Sequence, residues 1–255
     1  MDKRFLRSKL LLGDESINLL ANSTVLVVGL GGVGGYVVES LARTNVGKLI
    51  LVDYDNVDIT NINRQLIALN STVDKDKVDV FKARINDINP RCQVITHKIK
   101  IDSNNLEDIF DTTIDFVVDA CDDKKAKKAI IDYCLLKNIL FISAMGTGKR
   151  MDPSKLVITT LDKTYNDPLA KVMRGMVDKR IQKKVKVCLS LEVPVKTEGA
   201  VIASCVFVPA TAGLLIGNYV INNLLKQKEL IIKWVLFKIY DISQRLCQEL
   251  LLHLG

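Results

Sequence analysis

Glycines, two carboxylates and two cations carry the chemistry written into this sequence. Gly29-Leu30-Gly31-Gly32-Val33-Gly34 contains the spacing Gly-x-Gly-x-x-Gly. Glycines so placed permit a tight turn and let phosphate approach backbone amides at the positive end of the following helix. Asp53 follows the first glycine by 24 residues, the spacing at which a carboxylate accepts hydrogen bonds from ribose hydroxyls. Arg64 and Lys77 come next in a dense polar stretch. A pyrophosphate held on amides needs little added cation, whereas a triphosphate losing pyrophosphate gains from an arginine and a lysine on the developing charge. The cations therefore point to ATP over NAD. Asp122, in Asp119-Ala120-Cys121-Asp122, offers the kind of carboxylate through which Mg²⁺ is held beside phosphates. Its plainer reading is the N-cap of the helix that follows, and the two roles are compatible.

Such residues converge only if strand ends bring them together. Thr24 to Val28 is a β-branched run ending at the glycines, and Tyr36 to Arg43 resumes with helical spacing of apolar residues. Lys48 to Asp53, Gln93 to Lys98, Asp115 to Asp119 and Leu140 to Ala144 read as further strands, with helices over Asp74 to Asn86 and Lys124 to Asn138. This alternation predicts an α/β fold: a Rossmann-like, doubly wound, mostly parallel sheet with ligands beyond the carboxyl ends of its strands. After Gly146-Thr147-Gly148 the pattern predicts a strand over Leu156 to Leu161 and a basic helix over Pro168 to Gln182 with Asp167 as its cap. A strand over Ala203 to Val208 and a helix over Gly213 to Leu225 complete a C-terminal α/β portion. The expected division is a nucleotide-binding region over 1–165, the basic helix and C-terminal portion packed on the same unit over 166–234, and a leucine-rich tail over 235–255.

Composition narrows the class. With 255 residues, 48% apolar and 25% charged, the chain can bury a sizeable core, which excludes disordered and fibrous classes. Six cysteines without a Cys-x-x-Cys pair, and only His97 and His253, argue against a disulfide framework and a structural zinc site. Met1 to Lys9 is too charged for a secretory signal, so a cytoplasmic location is expected. Gly199 to Leu225 carries no charge over 27 residues, but Pro209, Asn218, Asn222 and Asn223 interrupt it, so it reads as core or interface rather than a membrane span. Membrane contact is not expected beyond a peripheral role for the amphipathic tail, Leu230 to Leu254.

The net charge of +7 is concentrated, with +6 between Lys171 and Lys186. Lys171, Arg174, Lys179, Arg180, Lys183, Lys184 and Lys186 stand there against Asp178 alone. Such a window is the footprint of a polyanion, nucleic acid or a phospholipid surface, or else a solvated helix face.

Taken together, Val27-Val28-Gly29-Leu30-Gly31-Gly32-Val33-Gly34, Asp53-Tyr54-Asp55, Asn61-Ile62-Asn63-Arg64-Gln65, Lys77 and Asp119-Ala120-Cys121-Asp122 resemble the adenylating enzymes related to ubiquitin-activating enzymes, the ThiF, MoeB and HesA superfamily. The resemblance implies Mg-ATP as the activator of a carboxylate. It gives Asp53 the ribose, Asn61, Arg64 and Lys77 the phosphates and Asp122 the magnesium, with Gly29, Gly31, Gly32, Gly34, Asp55 and Gln65 also in the nucleotide site. Arg7 is similar to an arginine that reaches the γ-phosphate of the neighbouring subunit in family homodimers. Arg4-Phe5, Leu11-Leu12-Gly13, Asn89-Pro90, Asp167-Pro168-Leu169-Ala170 and Phe207-Val208-Pro209 further resemble the TcdA family of tRNA threonylcarbamoyladenosine dehydratases. That branch implies adenylation of the carboxylate of threonylcarbamoyladenosine in tRNA, followed by cyclising dehydration. The basic window would then hold tRNA, and a sulfur-transfer protein enters as a further partner. Two other readings stay open: activation of the C-terminal glycine of a ubiquitin-like sulfur carrier, whose activators of this size commonly carry two Cys-x-x-Cys pairs, and a NAD-binding oxidoreductase. Cys188 and Cys205 also lie where some superfamily members form a thioester, though ring closure does not require one.

Overall fold

Strand β1 (Thr24–Val28) is apolar after its first residue because both of its faces are covered. Val25 and Val27 pack with Leu49, Leu51, Phe116 and Val118 on one side of the sheet; Leu26 and Val28 pack with Ile50, Val52 and Val117 on the other. This alternation gives two cores, one per face, and explains why β2 (Lys48–Val52) and β4 (Phe116–Asp119) are also apolar runs. The computed structural model describes residues 3–110, 113–199 and 201–226. Within them the sheet has seven strands in the order β3-β2-β1-β4-β5-β7-β6, where β3 is Gln93–His97, β5 Leu140–Ala144, β6 Leu156–Thr160 and β7 Lys186–Ser190. All pairings are parallel except that of β6 with β7. The fold is the expected doubly wound α/β sheet, and its strand order reverses between β1 and β4.

The helices cover the two faces. Helices α1 (Leu6–Leu12) and α2 (Asp14–Ala21) precede β1. Helix α3 (Gly34–Arg43) and α4 (Lys77–Ile88) are tied by Glu39, whose carboxylate accepts from Arg43 and Arg84, each at 2.7 Å. A short α5 (Leu106–Ile109), α6 (Lys124–Lys137) and α7 (Pro168–Met176) serve the opposite core. A last helix, α8, spans 207–226. Gly213 and Gly217 bring it against α3 so closely that a Cβ would lie 2.4 Å from the Val33 carbonyl oxygen and 2.0 Å from Ser40 Oγ. These two glycines thus seat α8 directly on another helix.

Three expectations for the second half are corrected. The basic helix ends at Met176 rather than Gln182, because Val177 turns to extended backbone (φ −98°, ψ 131°) and is buried in the core. The segment Ala203 to Val208 is not a strand: it is irregular to 206, and α8 begins at 207, six residues earlier than expected. Pro209 sits in the first turn of α8, where its missing N–H costs nothing. Finally, β7 forms between the expected basic helix and the expected strand at 203, where no element was expected. Its signal was the alternation Val185, Val187, Leu189, obscured by Lys183, Lys184 and Lys186. The tail over 235–255 lies outside the described residues.

Candidate active site

The glycine turn joins β1 to α3 at the reversal of strand order. Gly29 has φ +86°, and a Cβ there would lie 2.7 Å from the backbone of Ala120 and Cys121, so the β1 and β4 loops touch backbone to backbone. A Cβ on Gly34 would lie 1.8 Å from the Gly29 carbonyl oxygen, which holds the turn to glycine. No side chain caps α3; its Gly35 and Tyr36 amides turn back to the Gly31 and Val33 carbonyls, while the positive dipole end of the helix lies at the glycine turn, where an anion is favoured.

Asp53, 7% exposed, follows β2. Its Oδ2 accepts from the Leu30 amide at 2.6 Å and its Oδ1 from the Asp55 amide at 2.8 Å. Each carboxylate oxygen retains a second lone pair for a hydroxyl donor. The polar stretch after it folds as a short 3-10 turn, Ile59–Asn61, capped by Asp58, and the Asn61 side chain accepts from the Asp58 amide. Arg64 donates through Nη1 to the Thr60 carbonyl at 3.0 Å and to Asn63 Oδ1 at 2.9 Å. Gln65 is 8% exposed, and its Oε1 is buried with no hydrogen-bond partner among the described residues. Lys77 is 4% exposed and is held by Asp55 Oδ2 at 2.9 Å. A buried ammonium needs an anionic partner; Asp55 supplies it here, and a phosphate can do the same.

Asp122 is exposed and has no hydrogen-bond partner among the described residues; the cap of α6 is instead Asp123, whose Oδ1 accepts from the Lys125 and Ala126 amides. The bond from Lys100, with the Ala126 amide, holds the Asp123 carboxyl down at about 2. The field of Asp55 foremost, then burial, Asp122 and Asp53, raises the Tyr54 hydroxyl above its ordinary value. Asp55 is paired with Lys77 and Asp123 with Lys100, so Asp122 is the acid of this mouth with no partner among the described residues. Among the described residues no group of three or more metal-binding side chains occurs; Asp122, an exposed carboxylate on the cavity border, is the kind of ligand by which Mg²⁺ is held beside phosphates.

These side chains line one cavity of about 1060 Å³. Asp53, Asp55, Asn61, Arg64, Gln65 and Lys77 border it with Gly29, Gly31, Gly32 and Asp122. Typical small-ligand sites span about 300–1,000 Å³, so there is room for a nucleotide and part of a second reactant. Gly34 lies beneath the turn. Arg7 is exposed on α1 and does not border the cavity of its own chain.

Below the site is a fully buried network that the sequence did not reveal. Lys127 Nζ lies 3.0 Å from Asp119 Oδ2, 3.2 Å from Ser143 Oγ and 2.7 Å from the Ala144 carbonyl; Ser143 in turn donates to Asp119 Oδ2 at 2.6 Å. It locks the ends of β4 and β5 together directly before Asp122. Lys127 lies in Lys124-Lys125-Ala126-Lys127-Lys128, which reads as surface charge.

The basic window divides. Lys171, Lys179, Arg180, Lys183 and Lys184 are exposed, whereas Arg174 is half-buried and donates to the Thr164 carbonyl at 2.7 Å. Arg180 pairs with Asp178 at 2.5 Å. Cys188 is 1% exposed on β7, and burial pushes its thiol up to about 12, the opposite of what a nucleophile needs. Cys188→Ala is expected to leave product formation within about twofold of wild type; accumulation of the adenylate with loss of final product would reinstate a thioester.

A family model described as the ThiF family matches residues 5–250. The tRNA threonylcarbamoyladenosine dehydratase of Bacillus subtilis (strain 168) is 43% identical over 245 residues, covering 89% of this chain and 96% of that one. Among solved structures, E. coli tRNA N6-threonylcarbamoyladenosine dehydratase, TcdA, in complex with AMP superposes with a TM-score of 0.85 at 31% identity, covering 89% of this chain and 96% of that one. The same E. coli protein in complex with ATP gives 0.84 at 31% identity over the same shares. Sequence and backbone thus agree over nearly the whole molecule, and the chain belongs to the ThiF family and, within it, to the tRNA threonylcarbamoyladenosine dehydratases.

Proposed function

We propose that this chain uses ATP to adenylate the free carboxylate of threonylcarbamoyladenosine in tRNA and then closes that group into a ring with net loss of water. The observation that carries the reading is the single cavity in which the glycine turn, Asp53, Arg64, Lys77 and Asp122 meet, in a member of the dehydratase family. A carboxylate is a poor acyl donor because its leaving group would be oxide. In the first step a carboxylate oxygen attacks the α-phosphorus and the bond to pyrophosphate breaks. In the second, the ureido group of the modification attacks the activated carbonyl carbon, the bond to AMP breaks and a proton is lost. Asp53 orients the ribose, the glycine turn at the positive end of α3 cradles phosphate, and Arg64 with Lys77 takes the charge growing on the departing pyrophosphate. Lys77 exchanges Asp55 for phosphate as the nucleotide enters. Magnesium, when bound, neutralises phosphate charge, and Asp122 is the side chain suited to hold it.

The same reading makes the protein a homodimer in which Arg7 serves the partner's nucleotide, places it in the cytoplasm, and leaves a sulfur-transfer protein as a further partner. Among the described residues no helix is long and apolar enough to cross a membrane. ATP–pyrophosphate exchange stimulated by tRNA carrying the modification supports the proposal; exchange stimulated only by a ubiquitin-like carrier protein contradicts it.

The exposed cations after α7 are expected to bind tRNA backbone. Replacing Lys179, Arg180, Lys183 and Lys184 by alanine should weaken tRNA binding without sequence preference. The slope of log affinity against log salt should become shallower by about 0.7–0.9 for each phosphate no longer neutralised. Unchanged affinity and slope would return that surface to solvent.

A further inference from the structure

Arg150 is an arginine almost wholly inside the protein, 3% exposed, on the border of the cavity and outside the nucleotide machinery described above. Its guanidinium reaches three separate segments. Nη1 donates to the Gly148 carbonyl at 3.0 Å, within the loop after β5. Nη2 donates to the Asn166 carbonyl at 2.9 Å and faces Asp167 Oδ2 at 3.5 Å, before α7. Nε donates to the Glu192 carbonyl at 3.3 Å, after β7. The Glu192 carboxylate returns the link by accepting from the Met151 amide at 3.0 Å and the Asp152 amide at 2.8 Å. Of the five N–H groups of a guanidinium, four are thus directed at protein acceptors, which makes this side chain a brace rather than a free anion clamp.

The braced segments form one wall of the cavity. Gly146, Gly148, Arg150 and Asp167 border it together with Leu169 and Val172 of α7. At Gly146 a Cβ would lie 3.2 Å from Asp167 Oδ2 and 3.5 Å from Arg150 Nη1, so the brace stands directly behind the loop. Strands β5 and β7 lie across β1 and β4 from β2, so this wall is at the opposite end of the row of strand ends from Asp53. The other Asp167 oxygen, Oδ1, accepts from the Ala170 amide at 2.9 Å and caps α7. The wall and the start of the helix that leads into the basic surface are therefore set by one buried pair.

We propose that Arg150 is a positioning residue for the acceptor: through Gly148, Asn166, Asp167 and Glu192 it fixes the wall that presents the modified nucleoside to the α-phosphate. The inference rests on the adenylation reading and assigns the half of the cavity left over by the nucleotide. A wall displaced by a fraction of an ångström leaves nucleotide binding intact and spoils only the approach of the second reactant. Lysine cannot replace the brace, because a single ammonium on a flexible stem does not span the three carbonyls that the guanidinium reaches with three different nitrogens.

The test uses full-length Arg150→Gln, Arg150→Lys and Asp167→Asn proteins beside wild type, with ATP affinity measured by calorimetry and turnover by formation of the cyclised nucleoside in modified tRNA. Arg150→Gln is expected to keep its ATP Kd within about twofold and to lose at least about tenfold in kcat/KM for tRNA. Arg150→Lys should recover less than about a third of that loss. Asp167→Asn keeps an oxygen for the cap but loses the charge, and should lose about threefold to tenfold in kcat/KM for tRNA at unchanged ATP affinity. Undiminished tRNA turnover in Arg150→Gln, or parallel loss of ATP affinity and turnover in the folded variants, overturns the proposal. Should Arg150→Gln fail to fold, Asp167→Asn decides by the same two readouts. Wild-type protein that does not turn over modified tRNA at all sinks the adenylation reading itself, which distinguishes the two failures.

Discussion

Arg64→Ala and Asp122→Ala are expected to reduce adenylate formation, read as ATP–pyrophosphate exchange, by about 10²-fold or more while the fold persists. The magnitude follows from removing one preorganised electrostatic partner at the site where transition-state charge develops, which commonly costs about 10²–10³ in rate. Structural side effects should be small. Among the described residues the exposed Asp122 has no hydrogen-bond partner, and the Arg64 side chain bonds only to its neighbours Thr60 and Asn63. Substitutions at such positions change stability by about 0.5 kcal/mol or less. The two variants should differ in one respect: raising the magnesium concentration should recover part of the Asp122→Ala loss and none of the Arg64→Ala loss. Exchange at the wild-type rate in either variant removes that residue from the site.

Lys127→Met is expected to produce the largest loss of stability. Asp119 and Lys127 are both wholly buried and lie 3.0 Å apart, and among the described residues only Ser143 and Cys121 otherwise donate side-chain bonds to the carboxylate. Removing one partner strands the other as an uncompensated buried charge, at about 3–5 kcal/mol. For a chain of this size that corresponds to a fall in Tm of about 6–20 °C. The double variant Lys127→Met with Asp119→Asn should be less destabilised than the sum of its parts, because neither charge is then left alone. An unchanged Tm in Lys127→Met would mean that the pair contributes nothing and that the β4 and β5 ends are held by backbone pairing alone.

The first half of the molecule was legible in the sequence because its signals are local. Strand β1 is buried on both faces, so its apolar run could only be central, and the glycines that follow are required by contacts as close as 1.8 Å. Asp53 was legible by spacing, and the cap at Asp167 by Pro168 beside it. The second half was not, because its determinants are tertiary. Strand β7 is held between β5 and β6, and that placement overrides the charge of Lys184 and Lys186. The β-branched run near Val206 becomes the start of a helix because glycines further along dock α8 onto α3. Lys127 and Arg150 are the plainest cases. A cation beside other charges carries no mark of burial in sequence, and these two become visible only when strand ends, for Lys127, and distant loops, for Arg150, supply their acceptors. Asp122 and Asp123 show the limit of spacing: adjacent acids divide between site and cap, and only geometry assigns them.

The most direct test of the central claim is the reaction itself. Pure protein is incubated with α-labelled ATP, magnesium and tRNA carrying threonylcarbamoyladenosine, and the digested nucleosides are weighed by mass spectrometry while AMP is counted. The account predicts that the modified nucleoside loses the mass of one water and that one AMP appears for each nucleoside converted, with neither change when ATP is replaced by NAD. An unaltered nucleoside, or conversion without AMP, would contradict it.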